Sequence, residues 1–509
     1  MALITNSAGL DFLAIVIVVS IGVVTFIKWR FQYWAKLNVP YIQPTIPFGT
    51  LGNLLWSANT LGVTVGHQYK EGKKKGYKHL GLFTLNLPLY MPIDLDIIKS
   101  IMSKDFNYFT DRGFYFNEKD DPLSAHLFSL EGEKWKSLRS KLTPTFTSGK
   151  MKIMFETQVD CAKQLVAALD YAIAKRKPVN IKNYSSSYTI DVIGACVFGI
   201  NCNSFKNPGN DFQKHGKRIG VQTTCEMLKF FAAFSNPSVA RSLGIGVFPK
   251  ETTDFFMNII KETVAFREKT NEIRKDFLQV LIELKNGAGY YEGGRENHLT
   301  IKELAAQSLL FFFAGYDTSS TTMSFALYEL SENPDVQEQV REEINSFYDN
   351  HDGNITYENI KEMTYLNQVI EETLRKYPPL PMLNRKCVSN YKVPNCNLTI
   401  EKGTNVIIPL CGLHYDPEYF PNPEKFDPER FSSENKKNII PFSYMPFGEG
   451  PRLCIGMRFG LMQTLIGLSL LLKNFKFSLN DKTKVPLQMS SLSIVLSVVG
   501  DIWLNVEKV

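Results

Sequence analysis

The segment that most restricts this chain is Phe447-Gly448-Glu449-Gly450-Pro451-Arg452-Leu453-Cys454-Ile455-Gly456, followed by an apolar run with helical spacing from Met457 to Leu472. Three glycines and a proline around one cysteine describe a tight, rigid loop. It opens onto a helix N-terminus, where N–H donors and the positive dipole end favour a thiolate over a thiol. Glycines let the backbone approach a ligand closely, and the Arg452 guanidinium suits a carboxylate. This chemistry leaves two readings open: a metal-bound thiolate, or a lone cysteine that is nucleophilic, redox-active or merely buried.

A second segment, Ala314-Gly315-Tyr316-Asp317-Thr318, falls inside a helix predicted from about Ile301 to Leu330, its start marked by a Thr300–Glu303 capping box. A mid-helix glycine costs roughly 1 kcal/mol relative to alanine, so something should offset it. Ala314 and Thr318 share a face, on which a flat ligand would lie beside a hydroxyl. The alternative is a contact where small residues admit another helix. Glu372 and Arg375 form an i, i+3 pair on a helix that Tyr377-Pro378-Pro379 should end. Trp135 and Arg139, four apart, share a further helical face, which a surface arginine over an aromatic ring would equally explain.

Composition excludes several classes. With 44% hydrophobic and 21% charged residues in 509, the chain has a core to bury and is not disordered. The net charge of +6 is spread thinly, with no basic run interleaved with aromatics to make a nucleic-acid groove. Eight cysteines include no CxxC pair and seven histidines include no i, i+4 pair, which argues against a disulfide framework and a zinc helix. Without linker or repeat after residue 50, residues 51–509 read as one domain. It should be mainly α with a small β region: Met151–Ala174 and Phe277–Leu284 helical, Leu80–Leu87 and Ile494–Val498 extended, and Gly287–Gly294 a loop.

At the N-terminus, Phe12–Ile27 is uncharged and spans roughly 24 Å as a helix. A cleaved signal peptide would want a basic residue before the run and a small-residue site after it, and neither is present. Residues 1–30 are therefore read as a retained anchor, with Trp29, Tyr33 and Trp34 as an aromatic belt. Asp11 precedes the run while Lys28, Arg30 and Lys36 follow, leaving the bulk of the chain cytosolic. Pro40, Pro44 and Pro47 make residues 31–50 a stiff, Pro-rich linker, in which Gly49 and then Gly52 admit turns.

Taken in order, F-x-x-G-x-R-x-C-x-G at 447–456, A-G-x-D-T at 314–318, E-x-x-R at 372–375, P-E-R-F at 428–431 and W-x-x-x-R at 135–139 resemble the cytochrome P450 superfamily. Asp121–Phe128, the helix from Phe311 and the apolar C-terminal tail are similar to insect microsomal members that handle toxins and plant compounds. The spacer departs from the family's Pro-Pro-Gly-Pro. The resemblance implies a cytochrome P450 fold after one transmembrane helix, with haem b (iron protoporphyrin IX) between the Cys454 loop and the Thr318 helix. Cys454 would be the metal ligand. Arg452, Trp135, Arg139 and Arg385 would meet the propionates, with Ala314, Phe447 and Gly448 beside the macrocycle. Thr318 and Asp317 would deliver protons to dioxygen, while Glu372, Arg375 and Arg430 form a structural triad.

The implied activity is a haem-thiolate monooxygenase oxidising apolar small molecules such as xenobiotics, plant compounds or insecticides, at the cytosolic face of the endoplasmic reticulum membrane. Electrons would come from NADPH through a separate cytochrome P450 reductase, with cytochrome b5 as a further partner, since no flavin or nucleotide fingerprint is visible. Lys134, Lys136, Lys141, Lys150 and Lys152 would make the docking face. Substrate contacts are expected from Phe106, Tyr108, Phe109, Phe114, Tyr115, Phe116 and Phe128 and from part of Phe311–Phe313, of which at least one is core. Two alternatives are a non-enzymatic haem or hydrophobic-ligand carrier and an O2-independent isomerase of the same fold. The Asp317-Thr318 pair argues against both.

Overall fold

The computed structural model describes residues 8–50, 60–175, 177–220, 223–287, 298–491 and 493–509. Gly52 and residues 288–294 of the expected Gly-rich loop lie outside them. The apolar N-terminal run forms helix α1 (Ala8–Arg30), and Phe12, Ile17, Val18 and Ile21 along it stay exposed. The stretch Gly9–Lys36 is long and apolar enough to cross a membrane, and protein covers almost none of its most apolar 18 residues. A bilayer satisfies such a surface, whereas a core helix would already be packed.

The segment after α1 departs from expectation. Trp34 is buried rather than in an interfacial belt: its ring lies against Gly81, where a Cβ would come within 2.3 Å, and Nε1 donates to Leu82 O at 2.9 Å. Phe31 and Val39 join the same core, so the chain after the anchor is packed onto the body. Trp29 remains exposed.

That core covers a four-stranded sheet. Strands β1 (His79–Thr84) and β2 (Leu87–Pro92) form a hairpin, so the run expected from Leu80 to Leu87 is a strand and its turn. The helical body follows: α2 (Gly132–Leu142), α3 (Ser148–Ala174), α4 (Ile181–Ile193), α5 (Phe277–Lys285), α6 (Ile301–Glu332) and α7 (Thr364–Lys376). The chain then returns to the sheet as β3 (Leu383–Lys386) and β4 (Asn405–Ile408), giving the order β1-β2-β4-β3, with β2 and β4 parallel. Helix α8 (Met457–Asn474) closes the body.

The Thr300–Glu303 capping box is present, and α6 runs from it through the larger core, packed on α4 and α8. Ile494–Val498 is not a strand. Ile494 N and Leu496 N donate to Gly220 O and Pro379 O on separate segments, leaving one bridge, Met489 to Val498.

Candidate active site

The Cys454 loop owes its shape to backbone geometry that glycine alone adopts easily. Gly448 and Gly450 have φ of +76° and +70°, and a Cβ on Gly450 would stand 2.0 Å from Met102 O. Cys454 N donates to Phe447 O at 3.0 Å, closing the loop just before α8. The Cys454 side chain is exposed, yet surrounding protein desolvates its thiol and pushes its pKa up, against the pull of the Gly456 N–H and the charges of Arg112 and Arg139.

A second open surface lies on α6, where Ala314 is exposed between buried Phe312 and Tyr316. Helix α8 packs on this turn, with Gln463 Nε2 donating to Gly315 O at 3.0 Å. The two open surfaces therefore lie on the loop that opens α8 and on the helix that packs against α8. Gly315 fits the packing alternative: a Cβ there would meet Ile193 Cδ1 of α4 at 2.3 Å. Thr318 Oγ1 donates to Ala314 O at 2.7 Å. The Asp317 carboxylate points elsewhere, accepting from Lys182 Nζ of α4 at 2.8 Å; the same ammonium reaches Ser320 Oγ at 2.9 Å and Thr321 Oγ1 at 2.6 Å. Successive helical residues project about 100° apart, and the Asp317 carboxylate and the Thr318 hydroxyl accordingly point in different directions.

Arginines gather near Cys454. Arg452, buried, donates to Thr110 O at 2.8 Å and Leu130 O at 2.9 Å and lies 3.8 Å from the centre of the Trp135 ring. Arg112 donates to Arg452 O at 3.0 Å and Phe128 O at 3.2 Å. Arg385, on β3, donates from Nη1 to its neighbour Asn384 O, and its buried Nε has no partner among the described residues. Burial lowers Arg385 to about 10, and burial together with the Arg385 charge lowers Arg452 to about 9. Arg112 and half-buried Arg139 are also lowered, first by desolvation. Among the described residues only Asp111, 3.9 Å from Arg452, pairs with any of the four. So much buried positive charge with one distant carboxylate calls for an anion, and the two carboxylates of a haem fit it. Arg112 carries no motif and was not singled out in the sequence.

The Glu372 cluster, by contrast, carries its own carboxylate. Arg375 Nε and Nη2 donate to the two Glu372 oxygens at 2.7 and 2.8 Å, with all three residues buried or nearly so. Arg430 Nε stands 3.4 Å from Glu372 Oε1 without hydrogen-bond geometry, its own bond going to Asn422 O.

The aromatic candidates separate. Phe114 and Phe128 are partly exposed and 5.2 Å apart, with the Arg112 guanidinium 4.2 Å from the Phe128 ring centre. Phe116 is partly buried beside Arg241. Phe109 is corrected to core: it has no open surface and sits edge-on to Tyr391 at 4.9 Å in the sheet-side cluster. Phe312 is core as well, while Phe311 packs between Phe277 and Phe146 with little surface left open.

The family profile described as Cytochrome P450 matches residues 42–503. The chain is 42% identical to cytochrome P450 6a2 of Drosophila melanogaster, over 94% of this chain and 96% of that one. It is 41% identical to cytochrome P450 6A1 of Musca domestica, over 95% of each, and 41% identical to probable cytochrome P450 6a20 of Drosophila melanogaster, over 98% and 100%. The chain belongs to the cytochrome P450 family and is a haem b monooxygenase akin to these insect members.

Proposed function

We propose that this P450 oxidises apolar small molecules, xenobiotics or plant compounds among them, and that Cys454 would be the residue that holds its haem iron. The observation that carries the site assignment is the group of four guanidiniums about Arg112, with Arg112 and Arg139 beside an open, desolvated cysteine and the Arg385 Nε without a partner among the described residues. Bound haem would supply the activation of O2, a chemistry that a thiolate ligand favours. Every other role falls to side chains of this chain.

Arg112, Arg139, Arg385 and Arg452 hold the two carboxylates, and Ala314 leaves room for the flat ring against α6. Thr318 donates a hydrogen bond to Ala314 O, which leaves its oxygen lone pairs able to accept a hydrogen bond from a water and so place that water's other proton beside the reacting centre. Asp317 acts at one remove, through Lys182 and the hydroxyls of Ser320 and Thr321. Phe114 and Phe128 supply an apolar wall that excludes water and favours apolar ligands.

Electrons come from NADPH through a separate reductase, with cytochrome b5 as a second donor, at the cytosolic face of the endoplasmic reticulum membrane; residues 1–30 are the anchor and residues 51–509 the catalytic domain. Lys134 and Lys152 of the basic docking face already pair with Glu118 and Glu358, so Lys136 and Lys150 carry more of the attraction than these two. The test is product analysis with an apolar substrate panel. Product should require NADPH, reductase and O2 together. A ligand carrier would give none, and an isomerase would convert peroxides without O2.

A further inference from the structure

Four successive carbonyls of α6 each accept a side-chain donor in addition to their place in the helix. Ala314 O accepts from Thr318 Oγ1 at 2.7 Å, Gly315 O from Gln463 Nε2 at 3.0 Å, Tyr316 O from Thr189 Oγ1 at 2.9 Å, and Asp317 O from Lys182 Nζ at 3.2 Å. Three of these donors belong to other helices, Thr189 and Lys182 to α4 and Gln463 to α8. A carbonyl has two lone pairs and can accept twice, but the outside donor draws the oxygen away from the helix axis and bends the ladder. The backbone of this turn is thus set by its neighbours.

Gln463 stands out among the donors. It is fully buried, and its Oε1 has no partner among the described residues. Leaving half an amide unsatisfied in a core is unfavourable, so a hydrocarbon side chain would pack there at lower cost unless the other half does necessary work. Its backbone is pinned, Gln463 O accepting from Tyr188 Oη at 2.9 Å. It also lies on the helix that begins directly after the Cys454 loop, so it ties that helix to the turn bearing Thr318.

We propose that Gln463 is a positioning residue: by holding Gly315 O it fixes the neighbouring Ala314 carbonyl and, through it, the direction of the Thr318 hydroxyl. This rests on the reading of Thr318 given above. Gln463→Met keeps the length of the side chain and removes both the donor and the unpartnered oxygen. Haem content and the carbon monoxide difference spectrum should stay as in the parent, because no contact to Cys454 is touched. Amide hydrogen exchange of the haem-bound protein should quicken over residues 314–319. Product per NADPH should fall about two- to ten-fold, the range of one net hydrogen bond, with peroxide rising to match. Gln463→Leu likewise removes the donor and should uncouple as much; whichever variant retains haem decides the matter.

Thr318→Ala is run in parallel. If it uncouples while the Gln463 variants exchange and couple like the parent, Gln463 is core and the proposal is overturned. If Thr318→Ala itself stays coupled, the reading of Thr318 falls and the proposal falls with it. Faster exchange with unchanged coupling in a Gln463 variant would also overturn it, since a distorted turn would then leave proton delivery intact.

Discussion

Arg375 and Arg385 are ten residues apart and equally inaccessible, yet their surroundings are opposite. Arg375 has both edges of its guanidinium filled, by the two Glu372 oxygens and by the carbonyls of His414 and Pro423. Burial pulls its pKa down, but Glu372 outweighs burial and holds the charge above its usual range. Arg385 is pulled down by burial alone, to about 10, and faces Arg452 and Arg112 instead of a carboxylate. A buried charge that finds its partner inside the chain belongs to the scaffold. One that lacks it anticipates a partner from outside.

The largest effect should follow from breaking the Glu372 cluster. Glu372→Ala strands Arg375 and Arg430 and removes the acceptor of Asp427 N, at a cost of about 3–5 kcal/mol. That approaches the stability of a typical domain, so thermal denaturation should show little cooperatively folded protein with or without haem. Arg385→Leu should do the reverse to the apoprotein. It removes a charge that repels its neighbours, so the apo melting temperature should hold or rise. The haem, however, should transfer to a scavenging globin about 10- to 100-fold faster, the loss of a hydrogen bond to a charged group being worth about 1.5–3 kcal/mol. If Arg385→Leu instead destabilised the apoprotein and left haem transfer alone, both arginines would be scaffold and the contrast would vanish.

What the sequence displayed and what it hid follow the range of the interactions. The Cys454 loop, the Thr300–Glu303 cap and the Glu372–Arg375 pair are written within ten residues, so spacing and turn chemistry reveal them. Arg112, Gln463 and Lys182 act on Arg452, Gly315 and Asp317, between 135 and 340 residues away in the chain, and no local pattern marks such partners. The aromatic side chains misled for the same reason. Trp34 is core because Gly81 leaves a slot for it, and Phe109 because Tyr391 comes to meet it; neither slot is visible from the aromatic residue itself. Ile494–Val498 has strand composition but its N–H groups found unrelated carbonyls.

The central claim is that Cys454 and the unpartnered arginines form one haem-thiolate site, and the carbon monoxide difference spectrum tests it most directly. The dithionite-reduced parent and Arg385→Leu, reconstituted with excess haem, should both give the thiolate-type spectrum, because the role proposed for the arginines is to hold the macrocycle and not to ligate its iron. Cys454→Ala should lose that spectrum entirely while remaining folded. A thiolate-type spectrum that persists in Cys454→Ala would contradict the account.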